Sequence, residues 1–268
     1  MTAAPYRLEA SGLHFRRGQR LVIDNVDIRL NAGEIAAVLG ENGAGKSTLF
    51  RILLGFLQPV AGEVRLEGRP LRSFSRRDVA RRIAYVPQMH VAPFPYTVRD
   101  VILMGLLPAT GITRGPNAAE SRTAEAVLEQ LRIEHLAMRP YTEISGGERQ
   151  LALIGRALAQ QAGVLVMDEP MSGLDYGYQV RLSAHFIRLV REGRTILFST
   201  HSPDHAMRIS TRIIVLHKGA IVADGAPADI VTPALFQALY GVAVSTATDD
   251  KGRIALIPDI DGHCPPGR

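Results

Sequence analysis

Two short stretches of this 268-residue chain hold residue types whose spacing suits phosphate chemistry. Gly40-Glu41-Asn42-Gly43-Ala44-Gly45-Lys46-Ser47, followed by Thr48, fits G-x-x-x-x-G-K-[ST]. Glycines at this spacing let successive backbone N–H groups turn toward one point. A lysine placed as Lys46 reaches β- and γ-phosphates, and a hydroxyl placed as Ser47 ligates Mg²⁺. The second stretch is Val164-Leu165-Val166-Met167-Asp168-Glu169. An apolar run ending in two carboxylates puts Asp168 where it holds Mg²⁺ through water and Glu169 where it polarises an attacking water. The chemistry expected of the pair is hydrolysis of a nucleoside triphosphate.

The flanking sequence predicts the elements that position these groups. EIAAVL, before the glycine loop, reads as a buried strand, and GKSTLFRILLG opens a helix with Leu49, Ile52 and Leu53 at helical spacing. RLVIDNVDIRL, GEVRLEG and RIAYVPQ read as strands. The basic stretch at residues 72–82 reads as a solvated helix face. From Met89 to Thr142 the character becomes helical, with Val127, Leu128, Leu131 and Ile133 near helical period. QLALIGRALAQ and VRLSAHFIRLVREG then read as helices, GVLVMDEP and TILFSTH as strands. RIIVLHKGAIVADG reads as a hairpin turning at Lys218-Gly219. Strands alternating with helices predict an α/β fold with a largely parallel sheet covered on both faces. The expected organisation is a core at 1–88, a helical insert at 89–147, the rest of the core at 148–240, and an appendage with a loose tail at 241–268.

Composition narrows the setting. Lys and Arg total 31 against 26 Asp and Glu, a net charge of +5 that is too small to argue for nucleic acid. The single cysteine, Cys264, excludes an internal disulfide framework. No apolar run approaches the roughly 18 residues of a membrane span, and the amino terminus has no signal-peptide pattern, so a location inside the cell is expected.

Four further motifs share the order of one family. Ser145-Gly146-Gly147-Glu148-Arg149, preceded by Ile144, lies upstream of the Asp168-Glu169 strand. Gln88 follows Tyr85-Val86-Pro87, Ser172-Gly173-Leu174-Asp175 follows Glu169, and His201 ends the next strand. With the glycine loop and the carboxylate strand they make the chain resemble the ATP-binding-cassette ATPases, the nucleotide-binding subunits of ABC transporters. The resemblance implies a P-loop NTPase core of RecA-like type with an antiparallel β subdomain and an α-helical subdomain. It implies two copies facing head to tail, each ATP held between one glycine loop and the partner's Ser145-Gly146-Gly147-Glu148 signature. Glu169, His201 and Gln88 take the catalytic roles, with His201 at the γ-phosphate and Gln88 also sensing the transport partner. Ser47, Gln88 and Asp168 hold Mg²⁺, and Asp175 acts across the dimer interface. Glu148 replaces the usual glutamine and Met171 a common threonine. Arg17 stands where the family has an adenine-stacking aromatic, and a guanidinium also stacks. Phe15, two residues back, either assists it or belongs to the core.

Finer likenesses point to one branch. RIAYVPQ, YTVRDVILMG, ALYGVAV and SGGERQLALIGRALAQ resemble the subunits serving iron-siderophore, haem, cobalamin and similar metal-chelate import; molybdate, tungstate or free metal ions are the alternative cargo. The implied partners are a second copy, two permease subunits and, through them, an extracytoplasmic substrate-binding protein. The implied place is the cytoplasmic face of the inner membrane, peripherally bound. His201, Asp204 and His205 have metal-site spacing, but the resemblance assigns His201 to phosphate; Met89-His90 and His263-Cys264 are expected to carry no chemistry.

Overall fold

The chain's computed structural model describes residues 6–88, 94–111, 114–248, 250 and 254–259. In chain order it begins with β1 (Leu8–Arg17), β2 (Arg20–Leu30), β3 (Ile35–Leu39), helix α1 (Lys46–Leu53), β4 (Ala61–Leu66) and β5 (Arg69–Pro70). Next come α2 (Arg76–Arg82), β6 (Ile83–Val86), α3 (Val98–Leu103), α4 (Leu107–Thr110), α5 (Ala118–Leu131) and α6 (Gly146–Ala159). Then follow β7 (Val164–Asp168), α7 (Tyr176–Arg191), β8 (Thr195–Thr200), α8 (Pro203–Ile209), β9 (Arg212–His217) and β10 (Ala220–Gly225). The chain closes with α9 (Pro227–Ile230), α10 (Pro233–Tyr240), β11 (Val244–Thr248) and β12 (Ile254–Pro258).

Five strands pair in parallel, in the order β9-β3-β8-β7-β6, and β10 adds an antiparallel edge. Their uninterrupted apolar runs are explained by burial on both faces. In β3, Ile35, Ala37 and Leu39 face one core and Ala36 and Val38 the other. In β7 the same split sends Leu165 and Met167 one way, Val164 and Val166 the other. The first core is covered by α6 and α7 and runs on without a break into α3 and α5. The second is covered by α1 and by the antiparallel sheet β2-β1-β4-β5. This is the layering that the resemblance implies: parallel core, antiparallel sheet and helical unit.

Helix ends follow local chemistry. Asn117 caps α5 through a reciprocal bond with Glu120, and Arg132 ends it in the left-handed region at φ 57°. Ile133, read as part of that helix, therefore lies beyond it, though still buried. Helix α6 begins at Gly146 and crosses the boundary expected at residue 147, so it joins the helical unit to the core. At its far end a Cβ on Gly105 would sit 2.0 Å from Arg156 O, so only glycine lets these backbones approach.

Two features depart from the expectations. The 72–82 stretch is not only a solvated face: Arg77 and Arg81 both donate from Nε to Pro108 O at 2.9 Å, capping the carbonyls at the end of α4. Residues 241–268 are not only a loose tail either, because β11 and β12 pair from Val244↔Pro258 to Thr248↔Ile254. Two segments rich in β-branched and apolar residues flank Asp-Asp-Lys-Gly, a hairpin signal. Val244 and Leu256 fasten this hairpin to the first core. Met89, His90, His263 and Cys264 lie outside the described residues.

Candidate nucleotide-binding site

Strand β3 ends at Leu39, and the loop that follows is shaped by its glycines. A Cβ on Gly40 would lie 2.3 Å from Leu216 O on β9, so the loop starts pressed against the sheet. Gly43 (φ 84°) and Gly45 (φ 111°) take backbone angles that side chains disfavour. Gly45 is also the N-cap of α1, with no side chain capping the helix, so its first N–H groups face outward. Ala44 is buried and its carbonyl accepts from Gly219 N at 3.0 Å, which ties the loop to the β9–β10 turn.

Lys46 lies inside this curve, only 7% exposed. Its Nζ donates to Gly40 O at 2.6 Å and Glu41 O at 3.1 Å, leaving one of three N–H donors for a phosphate oxygen. Burial pushes the ammonium below its ordinary range, and the charges of Glu169, Asp168 and Glu41 pull it back up.

The opposite wall is the end of β7. Asp168 and Glu169 are both buried, and Ser199 of the neighbouring β8 serves both: its hydroxyl donates to Asp168 Oδ1 and accepts from Glu169 N at 3.0 Å. Glu169 is left-handed at φ 53°, a conformation that costs a side-chain-bearing residue about 1–2 kcal/mol. The turn aims its carboxylate at two cations or donors at once. His201 Nδ1 lies 2.6 Å from Oε2, and Lys46 Nζ lies 3.8 Å from Oε1. His205, the other half of the suspected metal spacing, instead bonds Gln179 Oε1 through Nε2 at 3.1 Å. Among the described residues no three His, Cys, Asp or Glu side chains converge on a metal position.

These walls enclose a cavity of about 480 Å³. Glu41, Asn42, Gly43, Gly45, Lys46, Ser47 and Thr48 line it, facing Gln88, Asp168 and Glu169; Arg17, Arg20 and Val22 complete it. Gly40 and Ala44, expected with the loop, pack beneath it and do not line it. Phe15 lies opposite Ile23 and packs into the second core, so it does not assist Arg17. Ser47, Gln88 and Asp168 lie in one cavity and offer only oxygen ligands. That suits Mg²⁺, which is held by one or two protein groups plus water and phosphate rather than by a protein cage. Three residues escape motif reading: Arg20 and Val22, visible only through strand register, and Ser199, which follows the Ile-Leu-Phe run of β8.

A family model described as ABC transporter matches residues 23–172, more than half the chain and both walls of the cavity. The chain belongs to the ABC transporter family. It is an ABC-type transporter ATPase, and its relatives agree over nearly the whole length. The hemin import ATP-binding protein HmuV of Rhodopseudomonas palustris (strain HaA2) is 36% identical over 261 residues, covering 94% of this chain and 97% of that one. An uncharacterised ABC transporter ATP-binding protein of Haemophilus influenzae is 38% identical over 209 residues, covering 78% and 80%. Among solved structures, one described as a metal-chelate type ABC transporter in an inward-facing conformation superposes with a TM-score of 0.80 at 31% identity, covering 96% and 98%. The ADP conformation of MJ1267, an ATP-binding cassette of an ABC transporter, gives 0.75 at 27% identity, covering 87% and 97%.

In this ABC ATPase the cavity contains neither Ser145–Glu148 nor Asp175. Ser145 caps α6 in a reciprocal pair: its N–H donates to Glu148 Oε2 at 2.7 Å and its Oγ accepts from Glu148 N at 3.3 Å. Those bonds hold the Glu148 carboxyl below its usual range. Asp175 likewise caps α7, accepting from Tyr178 N at 2.9 Å. The two motifs touch each other, since a Cβ on Gly147 would lie 2.7 Å from Gly173 O. Met171 is buried in the first core, as a packing residue would be. Among the described residues no helix is long and apolar enough to cross a membrane.

Proposed function

We propose that this chain is the ATP-hydrolysing subunit of an importer for an iron-containing metal chelate, hemin foremost. Its near full-length likeness to the hemin import ATP-binding proteins carries the reading, and the likeness to a metal-chelate type transporter structure supports it. The chain works as a homodimer, peripheral to the cytoplasmic face of the inner membrane. Its partners are two permease subunits and, through them, an extracytoplasmic substrate-binding protein; nucleic acid is not among them.

ATP binds with its phosphates against the backbone N–H groups of residues 41–48 and Lys46. Ser47, Gln88 and Asp168 would hold Mg²⁺, which would supply neutralisation of phosphate charge there. Glu169 accepts the proton of the attacking water, and its left-handed turn aims it into the cavity. His201, hydrogen-bonded to Glu169 from beside the cavity, holds that carboxylate in place, and its role at the γ-phosphate is part of this proposal. The Ser145–Glu148 loop and Asp175 stand outside the cavity of their own chain, which suits their action on the ATP of the second copy. Gln88, at the cavity wall, links the metal to the permease. ATP binding closes the dimer, hydrolysis reopens it, and the permease alternates its access.

Growth on hemin as the sole iron source, with total cell iron measured by mass spectrometry, tests the cargo. Cells carrying Glu169→Gln in place of the wild type are expected to lose hemin-derived iron. Unchanged iron with loss of another element, or with no loss, would contradict the proposal.

A further inference from the structure

The base end of the nucleotide cavity is built from donors. With the phosphates occupying the loop at residues 40–48, the base must lie toward Arg17, Arg20 and Val22. Arg17 and Arg20 are direct register partners across the tip of the β1–β2 hairpin. Directly paired residues project to the same face of a sheet. Val22 lines the same cavity, and its carbonyl would meet a Cβ on Gly45 at 3.0 Å, so this end of β2 overlooks the glycine loop. Among the described residues neither guanidinium makes a hydrogen bond or an ion pair. Arg16 is committed elsewhere, to Gln19 O at the hairpin turn. The carboxylates lining the cavity, Glu41, Asp168 and Glu169, belong to the loop and to the end of β7, at the phosphate end.

A guanidinium carries five N–H donors and no acceptor. Guanine offers two adjacent acceptors, O6 and N7, which match that fork. Adenine offers N7 beside an N6 amino group, itself a donor. An aromatic platform ignores this difference, because every base has a π face. Two arginines do not ignore it. We propose that this ATPase accepts guanine nucleotides at least as well as adenine nucleotides. Arg17 supplies the stacking plane and Arg20 the donors at the base edge.

The inference rests on the reading of this cavity as a nucleoside triphosphate site, and the test separates the two. The β,γ-imido analogues of ATP and GTP are titrated with Mg²⁺ into the full chain and followed by calorimetry. The expected wild-type Kd for the guanine analogue is equal to or lower than that for the adenine analogue. Arg20→Ala is expected to weaken the guanine analogue by roughly tenfold more than the adenine analogue, the discrimination of one bidentate contact. Arg17→Tyr is expected to move the ratio toward adenine. Tenfold tighter adenine binding by the wild type overturns the inference while leaving the site reading intact, as does an equal loss for both analogues in Arg20→Ala. Binding of neither analogue overturns the site reading and the inference with it.

Discussion

At the scale of single residues, the site depends on how few groups serve several partners. Ser199 is bonded to Asp168 at the end of β7 through a side chain and to Glu169 just beyond it through a backbone N–H. Replacing it with alanine leaves a buried carboxylate oxygen and a buried amide short of a partner, at about 1–3 kcal/mol. Ser199→Ala is therefore expected to lower both Tm and the rate of Mg²⁺-dependent ATP hydrolysis. Thermal unfolding and phosphate release on one preparation check this, and an unchanged rate would remove Ser199 from the site. Lys46 shows a different economy, with two donors on its own loop and one for substrate. Most of this scale was legible in the sequence, because the glycine loop, Asp168-Glu169 and His201 have fixed spacing. Ser199 and Arg20 were not legible: both enter through strand pairing, which joins residues that no local pattern connects.

At the scale of elements, close backbone approaches hold the helical unit to the core. Gly105 and Arg156 are the tightest of these, and a methyl group there meets backbone rather than a movable side chain. Gly105→Ala is expected to cost about 1–3 kcal/mol by overpacking. At roughly 2–4 °C per kcal/mol for a chain of this size, the fall in Tm is about 2–12 °C. An unchanged Tm would show that the contact gives way without cost. The elements were legible where both faces of a strand are buried, since β3 and the Val164–Met167 stretch of β7 read as unbroken apolar runs. They were least legible at the carboxyl end, where the β11–β12 hairpin was masked by its polar connection. Helix α6 spans the expected boundary at residue 147, because its signature end and its core-packing end belong to one continuous helix.

At the scale of the whole molecule, a buried histidine joins the helical unit to the core. Gln130 of α5 brings its Nε2 to 2.8 Å from Nε2 of His185 on α7. Burial, with Arg188 and Arg194 adding to it, pushes the imidazole from its ordinary 6.5 down to about 4. A depressed histidine pKa stabilises the fold above the unfolded value. That stability is lost as pH falls from 6.5 toward 4, because only the unfolded chain takes up the proton in this window. A tenfold difference in proton affinity between the folded and unfolded chain is worth about 1.4 kcal/mol, so the loss across the window reaches about 3 kcal/mol. Chemical unfolding between pH 7 and 4 should show this slope in the wild type, and His185→Gln should flatten it. Identical slopes would assign the acid sensitivity to other groups.

The central claim is that Glu169, aimed by its left-handed turn between Lys46 and His201, is the base that drives ATP hydrolysis in the cavity of about 480 Å³. The measurement that tests it most directly is Mg²⁺-dependent phosphate release from ATP by the wild type and by Glu169→Gln, with ATP affinity determined on the same preparations. The predicted result is a rate lower by roughly 10²–10⁴-fold, the loss typical of a general base, at an affinity changed by only a few-fold. A near-normal rate in Glu169→Gln, with ATP still bound, would contradict the account.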